Sequence, residues 1–235
     1  MEKVYRYTTI LIILIGVFLP VESTSLGQVT GDSFTIARLK YGGGGDWYWG
    51  RSAIPNMHQF LRENTNVEVS DRDVKIPPED DRLFNYPFVF LTGHGNIKFT
   101  DEQIDALRRY FRAGGFLFAN DSYGLDASLR RELKRILPES ELVELPFNHE
   151  IYHCYYDFPN GVPKIHKHDE KPAQGFGMFL DGRLVAFYAY ESDIGDGWED
   201  YEVHHDPPEK REAALKMGTN LIIYTLTQTD YEYEE

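Results

Sequence analysis

Two nearly unbroken apolar runs, FVFLT at residues 88–92 and FLFA at residues 116–119, constrain the fold more than any other feature of this chain. Strands that are covered on both faces have this pattern, and such strands are typical of parallel sheets with helices on each side. Between the two runs, Thr100 and Gln103 have the spacing of a capping box, and apolar residues at helical spacing follow them. The order of strand, helix and strand predicts an α/β fold with a mostly parallel sheet.

The rest of the chain fits a single domain of this class, which we place at residues 33–226. The predicted elements are a strand at 34–39, helices at about 53–62, 126–137 and 208–227, and a hairpin that turns at Asp181 and Gly182. A weak strand is expected at residues 67–69, and residues 70–82, which contain two adjacent prolines, are expected to form an exposed connection. No internal repeat indicates a second domain.

The two ends of the chain differ from this domain. Residues 1–25 have the order of a secretory signal peptide, because Lys3 and Arg6 precede an apolar run at 10–19 and a segment of small residues. The run is shorter than the roughly 20 residues that a membrane span needs. We therefore expect an extracytoplasmic protein, periplasmic or secreted, with a membrane anchor formed by an uncleaved leader as the alternative. Residues 227–235 are predicted to be a frayed acidic tail.

Charge and cysteine content exclude several functions. The formal net charge is −14, which disfavours nucleic acid as a partner because its phosphates need lysine and arginine counterions. The same charge disfavours docking on anionic lipid. Cys154 is the only cysteine, so the chain forms no internal disulfide and no multi-cysteine zinc site.

Three predicted strands end in loops that are rich in functional groups. Because the carboxyl ends of parallel strands lie at one edge of the sheet, where ligands bind, these loops are expected to face one crevice. The first loop contains four glycines but matches neither GxGxxG nor the P-loop, so no nucleotide cofactor is expected. Its aromatic residues, flanked by polar groups, suit a sugar-like or other polar ring compound. The predicted ligand-binding residues are Tyr41, Asp46, Trp47, Arg51 and Ser122.

The second and third loops supply catalytic candidates. His94 stands between two glycines, and Asp121 follows the strand at 116–119. The alternatives are a histidine that ties the loop and an aspartate that caps a helix. Ser122 matches the nucleophile elbow GxSxG only in part, because Asn120 stands where the first glycine belongs. A hydrolase that uses Asp121 and His94 is therefore an alternative to simple ligand binding.

The other histidines are less informative. His149 and His153 spell an HExxH motif, but the β-branched and aromatic residues around them favour a strand or an irregular loop over the helix that a zinc protease needs. His149 remains a candidate for acid–base or metal chemistry. His168, His204 and the seven carboxylates at residues 191–206 are expected to be solvated surface, and no metal ion or other cofactor is predicted.

Several segments together resemble a known family. They are YGGGGDWY at residues 41–48, YPFVFLTGH at 86–94, LRRYFRAGGF at 107–116 with Asn120 and Asp121, PFNHEIY at 146–152 and DGR at 181–183. With these motifs the chain resembles an uncharacterised bacterial domain-of-unknown-function family that looks related to the class I glutamine amidotransferase-like superfamily, which also includes the trehalose-utilisation-type proteins.

The resemblance implies a flavodoxin-like, three-layer α/β sandwich. It also places Asp121 where amidotransferases carry their nucleophilic cysteine, while Cys154 lies elsewhere in the chain. Glutaminase activity is therefore not expected. The resulting hypotheses are an exported domain that binds a polar small molecule such as a carbohydrate or an envelope fragment, a hydrolase, and a noncatalytic module with a protein partner in the cell envelope.

Overall fold

The structure, a computed structural model, describes residues 33–228 of the chain. The predicted signal peptide at 1–25 and nearly all of the predicted tail at 227–235 lie outside the described residues. Within the described part, no helix is long and apolar enough to cross a membrane. The strands are β1 Ala37–Leu39, β2 Val74–Ile76, β3 Phe88–Leu91, β4 Phe116–Asn120, β5 Val143–Glu144, β6 Gln174–Leu180 and β7 Arg183–Tyr190. The helices are α1 Ala53–Asn64, α2 Asp101–Arg112, α3 Asp126–Ile136, α4 Tyr201–His204 and α5 Pro208–Thr227.

The strands form one seven-stranded sheet in the order β2-β1-β3-β4-β7-β6-β5. The neighbours from β2 to β7 pair in parallel, whereas β6 pairs antiparallel with both β7 and β5. The predicted α/β class and mostly parallel sheet are confirmed. The carboxyl ends of four adjacent strands, β1, β3, β4 and β7, therefore lie side by side at one edge, which we call the carboxyl edge.

Helices cover both faces of the sheet, and the central strands are buried on both sides as their sequences predict. In β3, Val89 and Leu91 face the core beneath α2 and α3, while Phe88 and Phe90 face the core beneath α1 and α5. All four side chains are completely buried. This double burial explains why β3 and β4 are continuous apolar runs and do not alternate with polar residues.

Most predicted boundaries are confirmed within two residues, and the capping box of Thr100 and Gln103 is present at the start of α2. The prediction of residues 70–82 as a connection without a strand is wrong in part, because Val74–Ile76 pairs with β1 as β2. The predicted strand at 67–69 is reduced to one bridge between Val69 and Phe34. The HExxH segment forms only a single 3-10 turn at Glu150–Tyr152, as the β-branched and aromatic residues predict.

A buried histidine in α1 makes the stability of the fold depend on pH. The Nε2 atom of His58 accepts a hydrogen bond from the backbone N–H of Ile36, 3.1 Å away, and the ring is almost fully buried. Burial, together with the nearby Arg62, lowers the pKa of His58 to about 4.

Because the folded pKa of His58 lies below the value of about 6.5 in an unfolded chain, its contribution to stability is complete above pH 6.5 and is lost as pH falls towards 4. The loss amounts to roughly 3 kcal/mol. We expect the stability difference between the wild type and His58→Gln to shrink by about this amount between pH 7 and pH 4, measured by urea unfolding. Gln59→Ala, which removes an exposed and non-titrating side chain from the same helix, is the control and should show no such trend. A parallel pH dependence in wild type and His58→Gln would contradict this assignment.

Candidate functional site

A fourth loop at the carboxyl edge, which follows β7, carries a group of buried carboxylates. Asp193, Asp196 and Glu199 lie on this loop, and Asp206 follows α4. None of these four residues is more than 6% exposed. The prediction of a solvated acidic loop at residues 191–206 is therefore wrong for these positions.

Trp198 explains why this loop is buried in spite of its charge. Its ring lies against Phe90 and Phe118 of the sheet, with ring centroids 5.2 and 5.5 Å apart. Its indole nitrogen donates a hydrogen bond to the carbonyl oxygen of Ala214 in α5, 2.9 Å away. Apolar burial of this large ring holds the neighbouring carboxylates against the end of the sheet.

Imidazole rings from another segment meet these carboxylates. His166 lies between two of them, with Nδ1 2.8 Å from Asp193 and Nε2 2.8 Å from Asp206. The Nε2 atom of His168 lies 2.9 Å from the same Asp193 oxygen. Both histidines belong to the irregular loop that precedes β6, and both are half-buried. His168 was predicted to be solvated, and its position beside Asp193 corrects that prediction.

Asp196 lies where these segments converge. Its Oδ2 atom is 3.6 Å from Nε2 of His204 and 4.0 Å from Nδ1 of His166. The indole N–H of Trp49 and the hydroxyl of Ser122 face the same carboxylate at 3.5 and 3.4 Å. One ligand atom from each of His166, Asp196 and His204 lies within 4.8 Å of the others, so these three residues form a possible metal-ligand set. We call the whole group the His–carboxylate cluster: His166, His168, His204, Asp193, Asp196, Glu199 and Asp206.

Contacts within the cluster shift the pKa values of its members in opposite directions. The hydrogen bond to Asp193 raises the pKa of His166 to about 9, against the opposing effect of burial. Burial raises the pKa of Asp196 to about 8, and the neighbouring Asp193 and Glu199 add to this shift. Burial acts against ionisation of Asp193 as well, but its hydrogen bonds with His166 and His168 outweigh that effect and lower its pKa. Environments that separate the pKa values of neighbouring groups are typical of functional sites.

A buried polar network supports the cluster from below. The side-chain amide of Asn120, at the end of β4, donates towards Thr92, Ser122 and Asp193. Its oxygen accepts a hydrogen bond from the backbone N–H of Gly195, 2.8 Å away. Asn120 therefore connects the loops that follow β3, β4 and β7.

A cavity of about 490 Å³ opens beside the cluster. Tyr48, Trp49 and Arg51 line it together with Glu199 and Asp200. Glu199 also lies 3.0 Å from Nε2 of His204, and Trp49 faces Asp196, so the cavity and the cluster share these residues. The buried Arg38 of β1 fixes this wall, because its guanidinium donates hydrogen bonds to the carbonyl oxygens of Trp49 and Gly50.

The first two predicted loops meet as expected. Asp46 accepts a hydrogen bond from the backbone N–H of His94, and its Oδ2 atom lies 3.1 Å from Nδ1 of the same ring. The ring of Trp49 packs edge-on against His94, with centroids 4.8 Å apart. Tyr41 donates from its hydroxyl to the carbonyl oxygen of Thr92, 3.0 Å away. Asp46 and His94 therefore form a pair beside the cavity wall.

The other predicted residues have different surroundings. Asp121 is buried, and its carboxylate accepts hydrogen bonds from the hydroxyl of Tyr188 and from the backbone N–H groups of Tyr123 and Leu125. Burial raises the pKa of Asp121. The structure thus gives Asp121 and His94 separate partners, and it places Asp121 at the turn before α3.

Trp47 and His149 lie apart from the cluster contacts. Trp47 packs on the core beneath α2 and α3, with Lys40 above its ring. His149 accepts a hydrogen bond from the backbone N–H of Ile151 and so caps its 3-10 turn, and its ring lies beside Tyr224. Of the predicted residues, Ser122 contacts the cluster and Arg51 lines the cavity.

The family model for a domain of unknown function (DUF4159) matches residues 35–226, which is most of the chain. No curated protein matches the chain. The match agrees with the resemblance to a domain-of-unknown-function family, whereas the relation to class I glutamine amidotransferases stays a prediction.

Proposed function

The chain belongs to the DUF4159 family, and we propose that this member binds a polar ring compound of about monosaccharide size in the cavity beside its His–carboxylate cluster. The observation that carries the proposal is that the cavity and the cluster share Trp49. Trp49 offers an aromatic ring to the cavity while its indole N–H faces the carboxylate of Asp196, 3.5 Å away. A ligand on this wall is therefore next to titratable groups. A volume of about 490 Å³ lies within the range of small-molecule sites.

The chemistry of the lining supports a hydroxylated ring. Tyr48 and Trp49 supply flat apolar faces, and Glu199 and Asp200 supply acceptors for hydroxyl groups. Arg51 is the cation among the residues that line this cavity. With two carboxylates against one guanidinium, the lining favours a neutral compound over one that carries several negative charges.

We also propose that the domain has a flavodoxin-like fold, and the order of its strands supports this. The order β2-β1-β3-β4 followed by β7 corresponds to the flavodoxin order 2-1-3-4-5, with β7 in the fifth place. In such a fold, Asp121 would replace the amidotransferase cysteine. The thiol of Cys154 instead donates to the carbonyl oxygen of Asn220 in α5, and burial raises its pKa to about 11. We therefore propose no glutaminase activity.

Hydrolysis of the bound compound is a second candidate function, favoured by the pair of Asp46 and His94. A carboxylate on Nδ1 orients an imidazole so that Nε2 can accept a proton. Export to the periplasm or the medium is also part of the proposal, and it rests on the residue order at 1–25.

A binding experiment with matched tryptophan variants tests the proposed function. EDTA-treated protein is titrated with a panel of neutral mono- and disaccharides, and binding is followed by saturation-transfer NMR and calorimetry. We expect at least one sugar to bind, and we expect Trp49→Ala to weaken its binding by about tenfold or more, since loss of aromatic contact costs on the order of 1.4 kcal/mol.

Trp47→Ala is the control, because Trp47 packs on the core and is not among the residues that line the cavity, although its ring lies edge-on to that of Tyr48. It should leave sugar binding unchanged. Equal binding by wild type and Trp49→Ala, or no binding by any sugar of the panel, would contradict the proposed function.

A further inference from the structure

We propose that His166, Asp196 and His204 bind a divalent transition-metal ion, for which zinc is the best match. The inference goes beyond the proposed function and does not depend on the ring compound. The three side chains come from the loop before β6, the loop after β7 and the end of α4. Ligand atoms from all three lie within 4.8 Å of one another.

The distances between the ligand atoms are close to those around a tetrahedral ion. Ligand atoms that lie about 2.0–2.2 Å from zinc in a tetrahedral arrangement are roughly 3.3–3.6 Å apart. Asp196 Oδ2 is 3.6 Å from Nε2 of His204 and 4.0 Å from Nδ1 of His166. To reach zinc geometry, Nδ1 of His166 has to move about half an ångström closer to Asp196, and the ion replaces the hydrogen bonds that Asp193 and Glu199 make with the two imidazoles.

The charge of the cluster favours a cation. Four carboxylates, each at most 6% exposed, are packed together here, and their side-chain hydrogen-bond partners are the three imidazoles and neutral donors such as Trp49, Ser122 and Asn120. Buried carboxylates at this density need protons or a cation to offset their charge. A divalent ion among two imidazoles and one carboxylate supplies that charge.

The outer contacts are those of a metal site. A histidine that ligates a metal through one ring nitrogen usually hydrogen-bonds a carboxylate through the other. His166 has Asp206 on Nε2, 2.8 Å away, and its Nδ1 lies 2.8 Å from Asp193 and 4.0 Å from Asp196, so an ion between Nδ1 and Asp196 replaces the contact with Asp193. Trp49 and Ser122 hold the Asp196 carboxylate in place. The cluster therefore contains both the proposed metal ligands and the hydrogen-bond partners that hold these ligands in place.

The choice of metal follows from the donor atoms. Two imidazoles and one carboxylate suit zinc and neighbouring transition metals, whereas calcium and magnesium prefer sites made of oxygen atoms. Zinc with three protein ligands keeps a fourth position for water, as hydrolytic zinc sites do.

Calorimetric titration of tag-free, EDTA-treated full-length protein with zinc chloride, without any sugar, tests this inference. We expect one zinc ion per chain. Asp196→Asn and His204→Ala should each weaken binding by at least about 100-fold, because each removes a ligand. His205→Ala is the matched control, since it changes the same residue type at the neighbouring exposed position, and it should bind zinc within about threefold of the wild type.

A second measurement covers the case in which Asp196→Asn does not fold. His204 lies on the four-residue α4 and is partly exposed, so His204→Ala is expected to fold. Saturating zinc should raise the melting temperature of the wild type and of His205→Ala but not that of His204→Ala. Absence of zinc binding by the wild type, or binding that persists in both Asp196→Asn and His204→Ala, would overturn the inference. Neither result would affect the sugar-binding test, which uses metal-free protein.

Discussion

Replacing Trp198 with alanine is expected to lower the free energy of unfolding by about 3–5 kcal/mol. The side chain is fully buried between the sheet and α5, in contact with Phe90 and Phe118. Its removal leaves a cavity that backbone movement cannot easily fill, because the packed strands on one side and α5 on the other are fixed by their own hydrogen bonds. Urea unfolding followed by far-UV circular dichroism measures this effect.

Trp47→Ala is the matched control for this prediction, because it removes a ring of the same size from a half-buried position. Its expected loss is less than half that of Trp198→Ala. Since Trp198 also anchors the loop that carries Asp196 and Glu199, its removal should weaken zinc binding as well. A stability loss below about 1.5 kcal/mol for Trp198→Ala would contradict its role as the anchor of the loop.

Asn120→Asp is expected to lower the free energy of unfolding by about 3–5 kcal/mol at neutral pH, although it barely changes the shape of the side chain. The amide nitrogen of Asn120 lies 3.4 Å from the carboxylate of Asp193, and both residues are completely buried. A second carboxylate at this point would face the first without water between them, and the hydrogen bonds to Thr92 and Ser122 would lose their donor.

The pH dependence of this cost distinguishes charge repulsion from simple loss of packing. Repulsion from Asp193 raises the folded pKa of the introduced carboxyl group above its unfolded value of about 4. The cost should therefore be small near pH 4, where the group is protonated and can donate, and should grow as pH rises. Asn96→Asp, at an exposed position, should cost less than about 1 kcal/mol at every pH. A cost for Asn120→Asp that does not change with pH would contradict the electrostatic explanation.

The sequence predicts the framework well wherever burial leaves a clear pattern. β3 and β4 are apolar on both faces, and the start of α2 is defined by the capping box of Thr100 and Gln103. By contrast, β2 consists of three residues, Val74–Ile76, and one of them is an exposed lysine. Its pairing with β1 depends on tertiary context, which a pattern of three residues does not show.

The candidate site could be predicted only in part. The convergence of three loops follows from parallel topology, and it correctly brings Asp46 to His94 and Ser122 to Thr92. The fourth loop was missed because its carboxylates have the composition of a solvated segment. Their partners His166 and His168 lie 25 to 40 residues earlier, in a segment without a regular pattern.

The sequence nevertheless contains a feature that places the fourth loop at the carboxyl edge. β7 is an apolar strand of the same kind as β3 and β4, and its carboxyl end leads directly into Glu191 and Asp193. Applying the rule for parallel strands to β7 as well places these carboxylates at the carboxyl edge. Trp198, a large aromatic residue in the middle of an acidic segment, points to the same conclusion.

Anomalous diffraction at the zinc edge, from crystals grown with stoichiometric zinc, tests most directly the central claim that the His–carboxylate cluster is the functional site of this domain. The account predicts one strong peak about 2.0–2.2 Å from ligand atoms of His166, Asp196 and His204. A strong peak at another place, such as His149 and His153, with none in the cluster, would contradict it.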